Sequence, residues 1–591
     1  MLELKDVTLQ PGSAPDDLRL LDEISARFPR RHYAAILGPS GCGKSTLLKA
    51  IAGLSEHTAG RVLWDGRDLT EKDMDPQEIG YVPQFSIAYE LLTVRESVEG
   101  ALRLRVCGLT PGEREARVEE ILAQAGLGQI AERNVKVLSG GQRRRLALAL
   151  EMVSTPHLLL CDEVTSGLDP KAEDEIAKLM FDLSRHDDRI VLSVTHSLRH
   201  LPLYDSVFVL HQGRLAYHGP HEFLFHYFNV DQPEELFPRL AQRSPEQWHQ
   251  SWQKHRATYY ARFGLDAGET IAGTPAPPAD APAEPELPAE RANNAAAPPA
   301  PAPEPAALPS FATQFSVLLG RRCRLFLRDR GQLALQAALL VGFPILVVIF
   351  ALDGLPQIRN LNGVLTGSFL EQLQNQLTQE AELMRTGSLV SGLIMFQVIL
   401  LALMGSNNAA REIAGERLIF EKEKFAGLQP AAYVASKALF LGLLVCAQSL
   451  WMALFVKFVV NFPGSLLAQT LLLTLVNAAL TAICLALSSL MKSAEQASLV
   501  SIYLVGFQLP LSGAVLALPA SIAWITRPFI ASYWGWSGYV QTLHETRFYE
   551  AVLKVTQTRL SAEPLCVWVL ASHVVIGLVL AYAGCRNARW E

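Results

Sequence analysis

The chain has 591 residues, of which 50% are hydrophobic, and its formal net charge is −6. Its mean hydropathy is +0.18 and its apolar residues are concentrated after residue 330, which argues against an entirely soluble protein. The basic residues do not gather into a patch interleaved with aromatic residues, so we expect no nucleic-acid partner. Apolar strands alternate with helical patterns over residues 1–225, which predicts a mostly parallel sheet covered by helices.

A glycine-rich segment near the amino end has the spacing of a phosphate-binding loop. It follows the apolar residues 33–37, predicted to be a buried strand, and precedes residues 46–52, predicted to be a helix. Inward-pointing backbone N–H groups and the start of a helix together hold phosphate oxygens. We expect Lys44 to reach the β and γ phosphates and Ser45 to bind Mg²⁺. The predicted nucleotide-binding residues are Gly38, Pro39, Ser40, Gly41, Cys42, Gly43, Lys44, Ser45 and Thr46.

Two acids follow the apolar residues 158–161. A buried parallel strand delivers such carboxylates to the edge of its sheet, where phosphate sites lie. Asp162 is predicted to hold the Mg²⁺ shell. Glu163 is predicted to polarise the attacking water, since a general base must lie within hydrogen-bond reach of the proton that it removes. The alternative is a strand capped by two solvated acids, which the upstream phosphate loop disfavours.

Residues 138–142, with the sequence LSGGQ, resemble the signature motif of the ATP-binding cassette (ABC) family. The resemblance implies ATP as cofactor and an α/β P-loop NTPase fold with a helical subdomain near residues 90–150. By the same resemblance Gln84 is the Q-loop glutamine, which would act in catalysis and near the metal, and His196 is the switch histidine. Taken alone, His196 would more often be a structural histidine, because a single ring can pack and hydrogen bond anywhere.

The family resemblance also implies two cassettes that face each other head to tail. Ser139, Gly140, Gly141 and Gln142 of one cassette would then close on the nucleotide held by the other, and Asp169, in the D-loop, would join that site. The family usually stacks adenine on an aromatic residue near its first strand, whereas no aromatic residue precedes Phe28 in this chain.

Composition divides the chain into four parts. Residues 1–225 are predicted to form the nucleotide-binding domain and residues 226–265 a helical extension of it. Residues 266–309 are dominated by Ala, Pro and Glu, which predicts a disordered linker, because such a composition buries little apolar surface. Residues 310–591 are predicted to be the transmembrane domain.

Six apolar stretches are long enough to cross the hydrocarbon core, which takes roughly 20 helical residues. An even number of spans places both termini and the cassette on one side, and the basic clusters beside the spans indicate the cytosol. The sequence therefore predicts an integral multi-pass protein of the plasma (inner) membrane. The predicted spans are about 333–353, 387–407, 437–457, 467–489, 497–517 and 563–584.

The charged residues 411–424 lie between the second and third predicted spans. Their position, after an amino-terminal cassette, resembles the coupling helix of G-subfamily and bacterial ABC-2 type exporters. The resemblance implies a half-transporter that works with a second copy of itself. Residues 354–386 are longer than the family's usual link, and 370–384 have amphipathic helical spacing. This segment is interpreted either as an outer-face helix or as a solvated loop helix.

Polar residues inside spans are costly unless they face protein or water. We therefore expect five of them to point inward, namely Gln397, Asn407, Gln448, Asn477 and Gln508. By resemblance the second and fifth spans line a cavity, which makes Phe396, Gln397 and Gln508 candidate substrate contacts. Pro510 and Gly513 are expected to interrupt the fifth span.

Two functions are compatible with these patterns. The first is ATP-driven export of lipidic or amphipathic substrates by a homodimer embedded in membrane lipid. The alternative is an ATP-driven membrane switch that controls another protein and moves no cargo.

Overall fold

The computed structural model describes residues 1–10, 19–71, 74–85, 87–261, 307–352, 369–460, 463–515 and 518–588, and of residues 261, 369–380 and 382 it describes the backbone alone. The chain divides into two compact units, residues 1–309 and residues 310–590. Most of the predicted linker, residues 266–306, lies outside the described residues, as do residues 353–368 of the predicted outer segment.

The first unit contains two sheets. The strands of its described part are β1 Leu2–Leu9, β2 Leu21–Phe28, β3 His32–Leu37, β4 Ala59–Trp64, β5 Arg67–Asp68, β6 Ile79–Val82, β7 Leu158–Asp162, β8 Ile190–Val194, β9 Ser206–His211 and β10 Arg214–Gly219. One sheet has the order β2-β1-β4-β5 and is antiparallel; the other has the order β10-β9-β3-β8-β7-β6.

The centre of the six-stranded sheet is parallel and fully buried. Strand β8 pairs in parallel with β3 and β7, and β7 pairs in parallel with β6. Every residue of β3, β7 and β8 is buried, which is why these strands appear in the sequence as continuous apolar runs. Because the strands are parallel, their carboxyl ends meet at one edge, and the segments that follow them are brought together there.

Helices cover this sheet and form a cluster beside it. They are α1 Lys44–Ile51, α2 Val94–Arg105, α3 Pro111–Gln124, α4 Gly140–Met152, α5 Pro170–Arg185, α6 Leu224–Phe228, α7 Leu236–Leu240 and α8 Pro245–Ala261. Helices α2, α3 and α4 share one apolar core that includes Leu102, Ile121 and Leu146. Each begins with a capping box, in which a Thr or Ser side chain and a Glu or Gln three residues later satisfy each other's backbone N–H groups.

Helix α8 packs against β10 through aromatic side chains. The Tyr217 ring of β10 lies 5.1 Å from Tyr227 and 5.7 Å from Trp252, measured between ring centroids. Trp248 and Trp252 are both buried. The helical segments after residue 223 are therefore part of the first unit's core.

The second unit is entirely helical in its described part. Its helices are α9 Phe311–Arg328, α10 Arg330–Ala351, α11 Phe369–Ala409, α12 Arg417–Phe425, α13 Pro430–Val460, α14 Leu466–Leu490, α15 Ala494–Gly506, α16 Gln508–Leu511, α17 Ala520–Thr526, α18 Ala531–Gln541, α19 Arg547–Val555 and α20 Glu563–Asn587. Within the described ranges, five apolar segments are long enough to cross a membrane, and they correspond to α10, α11, α13, α14 and α20.

The predicted fifth span, residues 497–517, is wrong as a continuous helix. Helix α15 ends at Gly506, the short α16 ends at Leu511, and Gly513 has a left-handed φ of 74°. Pro510 has no N–H group, so it cannot bond the carbonyl of Gly506 four residues earlier. The interruption expected from Pro510 and Gly513 is present, and it shortens the helix.

The inward position predicted for Asn407 is also wrong. Asn407 is exposed, whereas Asn408 is buried and its Oδ1 accepts a hydrogen bond from Gln336 Nε2 at 2.9 Å. Asn408 Nδ2 donates to Gln448 Oε1 at 2.9 Å, and Asn477 Nδ2 donates to the same oxygen at 3.2 Å. Successive residues of a helix point about 100° apart, so an error of one position changes the face.

Helix α18, which the sequence alone does not predict, lies inside the membrane unit. All its residues from Ala531 to Val540 are buried. A Cβ on Gly535 would lie 2.1 Å from Val476 Cγ2, which shows how closely α18 packs on α14. The Nε1 group of Trp536 donates to Ser391 Oγ of α11 at 3.2 Å.

Candidate nucleotide site

The predicted phosphate loop connects β3 to α1. Gly43 has a φ of 102°, and a Cβ there would lie 2.7 Å from the carbonyl oxygen of Leu20, so both the conformation and the close approach require glycine. Lys44 is 5% exposed, and its Nζ donates to the carbonyl oxygens of Gly38 and Pro39 at 2.9 Å each. The ammonium group is thus held over the loop, where phosphate oxygens would replace the two carbonyls.

Ser45 and Asp162 meet at the start of α1. Ser45 Oγ donates to Asp162 Oδ1 at 2.9 Å, and the Tyr81 hydroxyl donates to Asp162 Oδ2 at 3.3 Å. Burial raises the pKa of the Asp162 carboxyl, and the hydrogen bond from Ser45 opposes that rise. Mg²⁺ prefers hard oxygen ligands, and it usually binds only a few protein groups in addition to substrate phosphates and water. The Ser45 hydroxyl and the Asp162 carboxylate are ligands of this kind, so the pair fits that ion.

Glu163 lies at the centre of a three-residue cluster. Gln84 Nε2 donates to Glu163 Oε2 at 2.8 Å, and His196 Nε2 lies 2.9 Å from Glu163 Oε1. These residues follow β6, β7 and β8, the neighbouring strands whose carboxyl ends meet. Glu163 has a φ of 49°, a left-handed conformation uncommon for a residue other than glycine, and this turn directs it away from the strand. Both carboxylate oxygens are therefore held in place.

Arg144, which the sequence alone does not single out, is a neighbour of this cluster. It is on α4, and its Nη1 lies 3.5 Å from the carbonyl oxygen of Pro83, the residue before Gln84. Burial lowers the pKa of the Arg144 guanidinium, and the charge of Glu163 opposes that change. The sequence signal that could have indicated Arg144 is its position in the run of arginines that follows the signature motif. Such a run of charges on a helix usually faces solvent, so it does not by itself indicate a place near Glu163.

The signature segment and Asp169 lie together at two helix starts. Ser139 caps α4 and Gln142 completes the capping box, with Gln142 Oε1 accepting from Ser139 N–H at 3.0 Å. Asp169 caps α5 by accepting from Ala172 N–H at 3.0 Å. A Cβ on Gly141 would lie 3.1 Å from Ala172 Cβ, so the two helix starts are close. In the described part of this single chain, the side-chain hydrogen bonds of Ser139 and Gln142 join these two residues to each other.

The three predicted substrate contacts have different surroundings. The Phe396 ring lies edge-on to Phe350, with centroids 5.2 Å apart. Gln508 Oε1 accepts from the Ser532 N–H at 3.1 Å and so caps α18. Gln397 is 0% exposed, and neither polar atom of its amide has a hydrogen-bond partner among the described residues. Burying an amide in this way costs about 1–3 kcal/mol, so Gln397 is the least satisfied of the three.

Two family models match the chain. The model described as ABC transporter matches residues 21–166, and the model described as ABC-2 type transporter matches residues 313–537. The first match contains the phosphate loop and the signature segment, and the second extends from the first turn of α9 to most of α18. The predicted fold class, a P-loop cassette fused to a helical membrane domain, is confirmed.

Similar proteins include fused and separate cassettes. The ABC transporter ATP-binding/permease protein Rv1747 of Mycobacterium tuberculosis is 28% identical over 89% of this chain, which spans 56% of that protein's length. The methionine import ATP-binding protein MetN of Desulfitobacterium hafniense is 32% identical, over 41% of this chain and 76% of that protein. A solved dimeric structure of the cassette MJ0796 with ADP and Pi is 30% identical over 37% of this chain and 99% of that chain, with a TM-score of 0.34.

Proposed function

Because the chain belongs to the ATP-binding cassette transporters and has an ABC-2 type membrane domain, we propose that it is an ATP-driven exporter of lipidic or amphipathic substrates. In this proposal two copies form a homodimer in the plasma (inner) membrane, with cassettes and termini in the cytosol. Both family models describe transporters, and this favours transport over the alternative of a switch without cargo.

The cluster around Glu163 is the observation that carries the proposed ATPase chemistry. Gln84 and His196 fix both oxygens of the carboxylate, which leaves it oriented to accept a proton from an attacking water. Lys44 would bind the β and γ phosphates. Ser45 and Asp162 would hold Mg²⁺, which supplies charge neutralisation for the phosphates when bound. The carboxylate of Glu163 therefore acts on water, while its neighbours hold it in place.

The second copy would complete this site. Ser139 and Gln142 present the start of α4, whose N–H groups and dipole favour an anion. We propose that these residues, with Gly140, Gly141 and Asp169, close on the nucleotide bound by the partner copy. Hydrolysis would then depend on dimerisation.

The proposed substrate class rests on the apolar interior of the membrane unit. Gln397 is a buried amide on α11, and its neighbours in sequence Met395 and Val398 belong to the apolar core of this unit. A mostly apolar molecule with one polar group would satisfy such an amide. We propose Phe396, Gln397 and Gln508 as substrate contacts, with Gln508 Oε1 already engaged by α18.

The test is Glu163→Gln in protein reconstituted into vesicles. The substitution keeps the shape of the side chain and removes the base, so hydrolysis should fall by roughly 10²- to 10⁴-fold while ATP binding is retained. Glu222→Gln, at an exposed position, is the matched control. ATP-dependent movement of fluorescent phospholipids and amphiphilic dyes should be lost in the first variant and kept in the second. Undiminished hydrolysis by Glu163→Gln would contradict the assigned role.

A further inference from the structure

The charged segment between α11 and α13, residues 411–424 and here called the connector, is held by helices to which it is not joined in sequence. Covalently it continues only into α11 and α13. Its side chains and backbone nevertheless bond to the ends of α14 and α20 and to α9. These contacts involve residues of the second unit only, and each is short enough to be a hydrogen bond or an ion pair.

Lys424 caps the end of α20. Its Nζ donates to the carbonyl oxygens of Cys585 at 3.1 Å, Arg586 at 2.5 Å and Ala588 at 2.7 Å. The last carbonyls of a helix have no partner within the helix, and they carry the negative end of its dipole. A lysine that bonds three of them at once is well matched to that end, and it fixes the position of α20 relative to the connector.

Arg417 and a backbone turn hold the end of α14 in the same way. Arg417 Nη1 donates to the carbonyl oxygen of Met491 at 2.9 Å, and its Nε donates to Glu421 Oε1 at 2.7 Å, which orients the guanidinium. Ser488 Oγ accepts from the N–H groups of Ile413 at 3.1 Å and Ala414 at 3.0 Å. Two separate parts of the connector therefore bond to the last turn of α14.

Helices α14 and α20 form one closely packed pair. A Cβ on Gly577 would lie 2.6 Å from the backbone carbon of Ala482, and a Cβ on Gly584 would lie 2.3 Å from Ser489 Oγ. Such contacts leave no room for the helices to slide independently. Any displacement passed to one end of the pair is expected to move both helices.

Buried ion pairs fix α9 and α13 to the connector as well. Arg321 binds Glu423 through two parallel hydrogen bonds, of 2.5 and 2.8 Å. Glu412 accepts from Arg322 Nη2 at 2.7 Å and from Lys437 Nζ at 2.9 Å, and these three side chains are 4–8% exposed. Removing one partner of a buried ion pair is strongly destabilising, so these pairs favour a single fixed arrangement.

We propose that Lys424 and Arg417 are positioning residues through which movement of the connector is transmitted to α14 and α20. The proposal rests on the proposed function, because ATP use by the cassettes would supply the movement of the connector, the segment that resembles a coupling helix. The carbonyl caps give α14 and α20, the fourth and fifth of the long apolar segments in the described part of the chain, a direct bond to the connector. Without Lys424, the connector should still move, but it should act on the pair only through α14, and α20 should follow it less closely.

The first experiment measures that bond directly and does not require transport. Spin labels are placed at Leu418→Cys and Asn587→Cys, both exposed positions, after the accessible native cysteines have been replaced. The reference sample is the labelled full-length protein with Glu163→Gln and with Lys424 intact. In this sample the distribution of distances between the two labels should be narrow, and it should not change when ATP is added. Lys424→Met should broaden the distribution, and Lys424→Arg should restore it in part. A narrow, unchanged distribution in Lys424→Met would overturn the proposal.

The second experiment measures coupling in vesicles. Lys424→Met should keep its ATP hydrolysis within about twofold, while substrate moved per ATP hydrolysed falls by roughly 5- to 150-fold, the range of typical coupling between sites. Arg586→Met removes an exposed positive charge at the same helix end without removing the cap, and it should behave as wild type. An equal ratio of transport to hydrolysis in Lys424→Met and wild type would refute the positioning role. If wild-type protein moves no substrate, the proposed function fails, and the label distances still decide whether Lys424 holds α20.

Discussion

Protonation of His218 should limit the stability of the first unit at acidic pH. His218 is on β10 and is 1% exposed, with its ring centroid 4.9 Å from that of Phe28 and 5.4 Å from that of Phe208. Its Nδ1 lies 3.0 Å from the Tyr260 hydroxyl. Burial lowers the pKa of His218 to about 3 from 6.5, and the nearby His32 adds to the decrease. The folded protein therefore holds this imidazole neutral at pH values where the unfolded chain binds a proton.

The sign and size of the effect follow from proton linkage. Between pH 6.5 and about 3 the unfolded state binds more protons at this site than the folded state, so the free energy of unfolding falls as the pH falls through that window. Relative to neutral pH, His218 should account for a loss of about 2 kcal/mol at pH 5. For a unit of this size that loss corresponds to a decrease of roughly 4–8 °C in the midpoint of thermal unfolding.

The assay is scanning calorimetry of the full-length protein in detergent at pH 7.5 and 5.0, at constant ionic strength. The transition of the first unit is identified by its increase in midpoint when ATP is added, since a ligand that binds the folded state stabilises it. His218→Phe retains a ring among the aromatic neighbours and cannot titrate. The variant should lose about 2 kcal/mol less than the wild type between the two pH values. Identical pH dependence of the two proteins would refute the reasoning.

Two further predictions concern packing in the membrane unit. Gly577→Ala should lower its thermal midpoint, because the added Cβ would lie 2.6 Å from the backbone of Ala482, whereas Gly442→Ala meets nothing within 4 Å and should not. Asn408→Leu should destabilise the unit by about 0.5–2 kcal/mol in detergent titrations by breaking its bonds to Gln336 and Gln448, while Asn407→Leu should have little effect. Equal midpoints for the two glycine variants, or equal losses for the two asparagine variants, would contradict these contacts.

The nucleotide site was accessible from the sequence because its geometry is set locally. Gly43 and Lys44 follow one buried apolar strand, and Asp162 and Glu163 stand at the end of another. The sequence therefore predicts both that these residues lie at the carboxyl edge of the sheet and which side chains are present there. The position of Arg144 was not accessible in this way. It depends on how α4 packs beside the segment after β6, and the sequence of a helix does not specify its neighbour.

Helix boundaries in the membrane unit were harder to predict because hydropathy does not distinguish spanning helices from buried ones. Helix α18 has 11 residues and is as buried as any spanning helix, yet it is too short for a length criterion. The predicted fifth span joined α15 to apolar residues as far as 517, although α15 ends at Gly506 and the short α16 ends at Leu511. Asn407 and Asn408 differ only in the face of α11 on which they lie. The surrounding residues are mostly apolar, so the sequence contains too few polar residues to show which face is buried.

The interruption of α15 and the burial of α18 are physically linked. A helix that begins inside a membrane unit leaves its first N–H groups without intrahelical partners, and no water is present in an apolar interior to satisfy them. Gln508, on the short α16 after the break, supplies the carbonyl oxygen that accepts from Ser532 N–H. If α15 continued as a regular helix through Pro510, Gln508 would be part of that straight helix. The direction of its side chain would then be set by the helix axis, and the side chain would not reach the start of α18. The proline that interrupts α15 thus allows α18 to be capped within the bundle. We therefore expect the backbone amides of α18 to exchange hydrogen faster in Gln508→Leu than in Gln448→Leu.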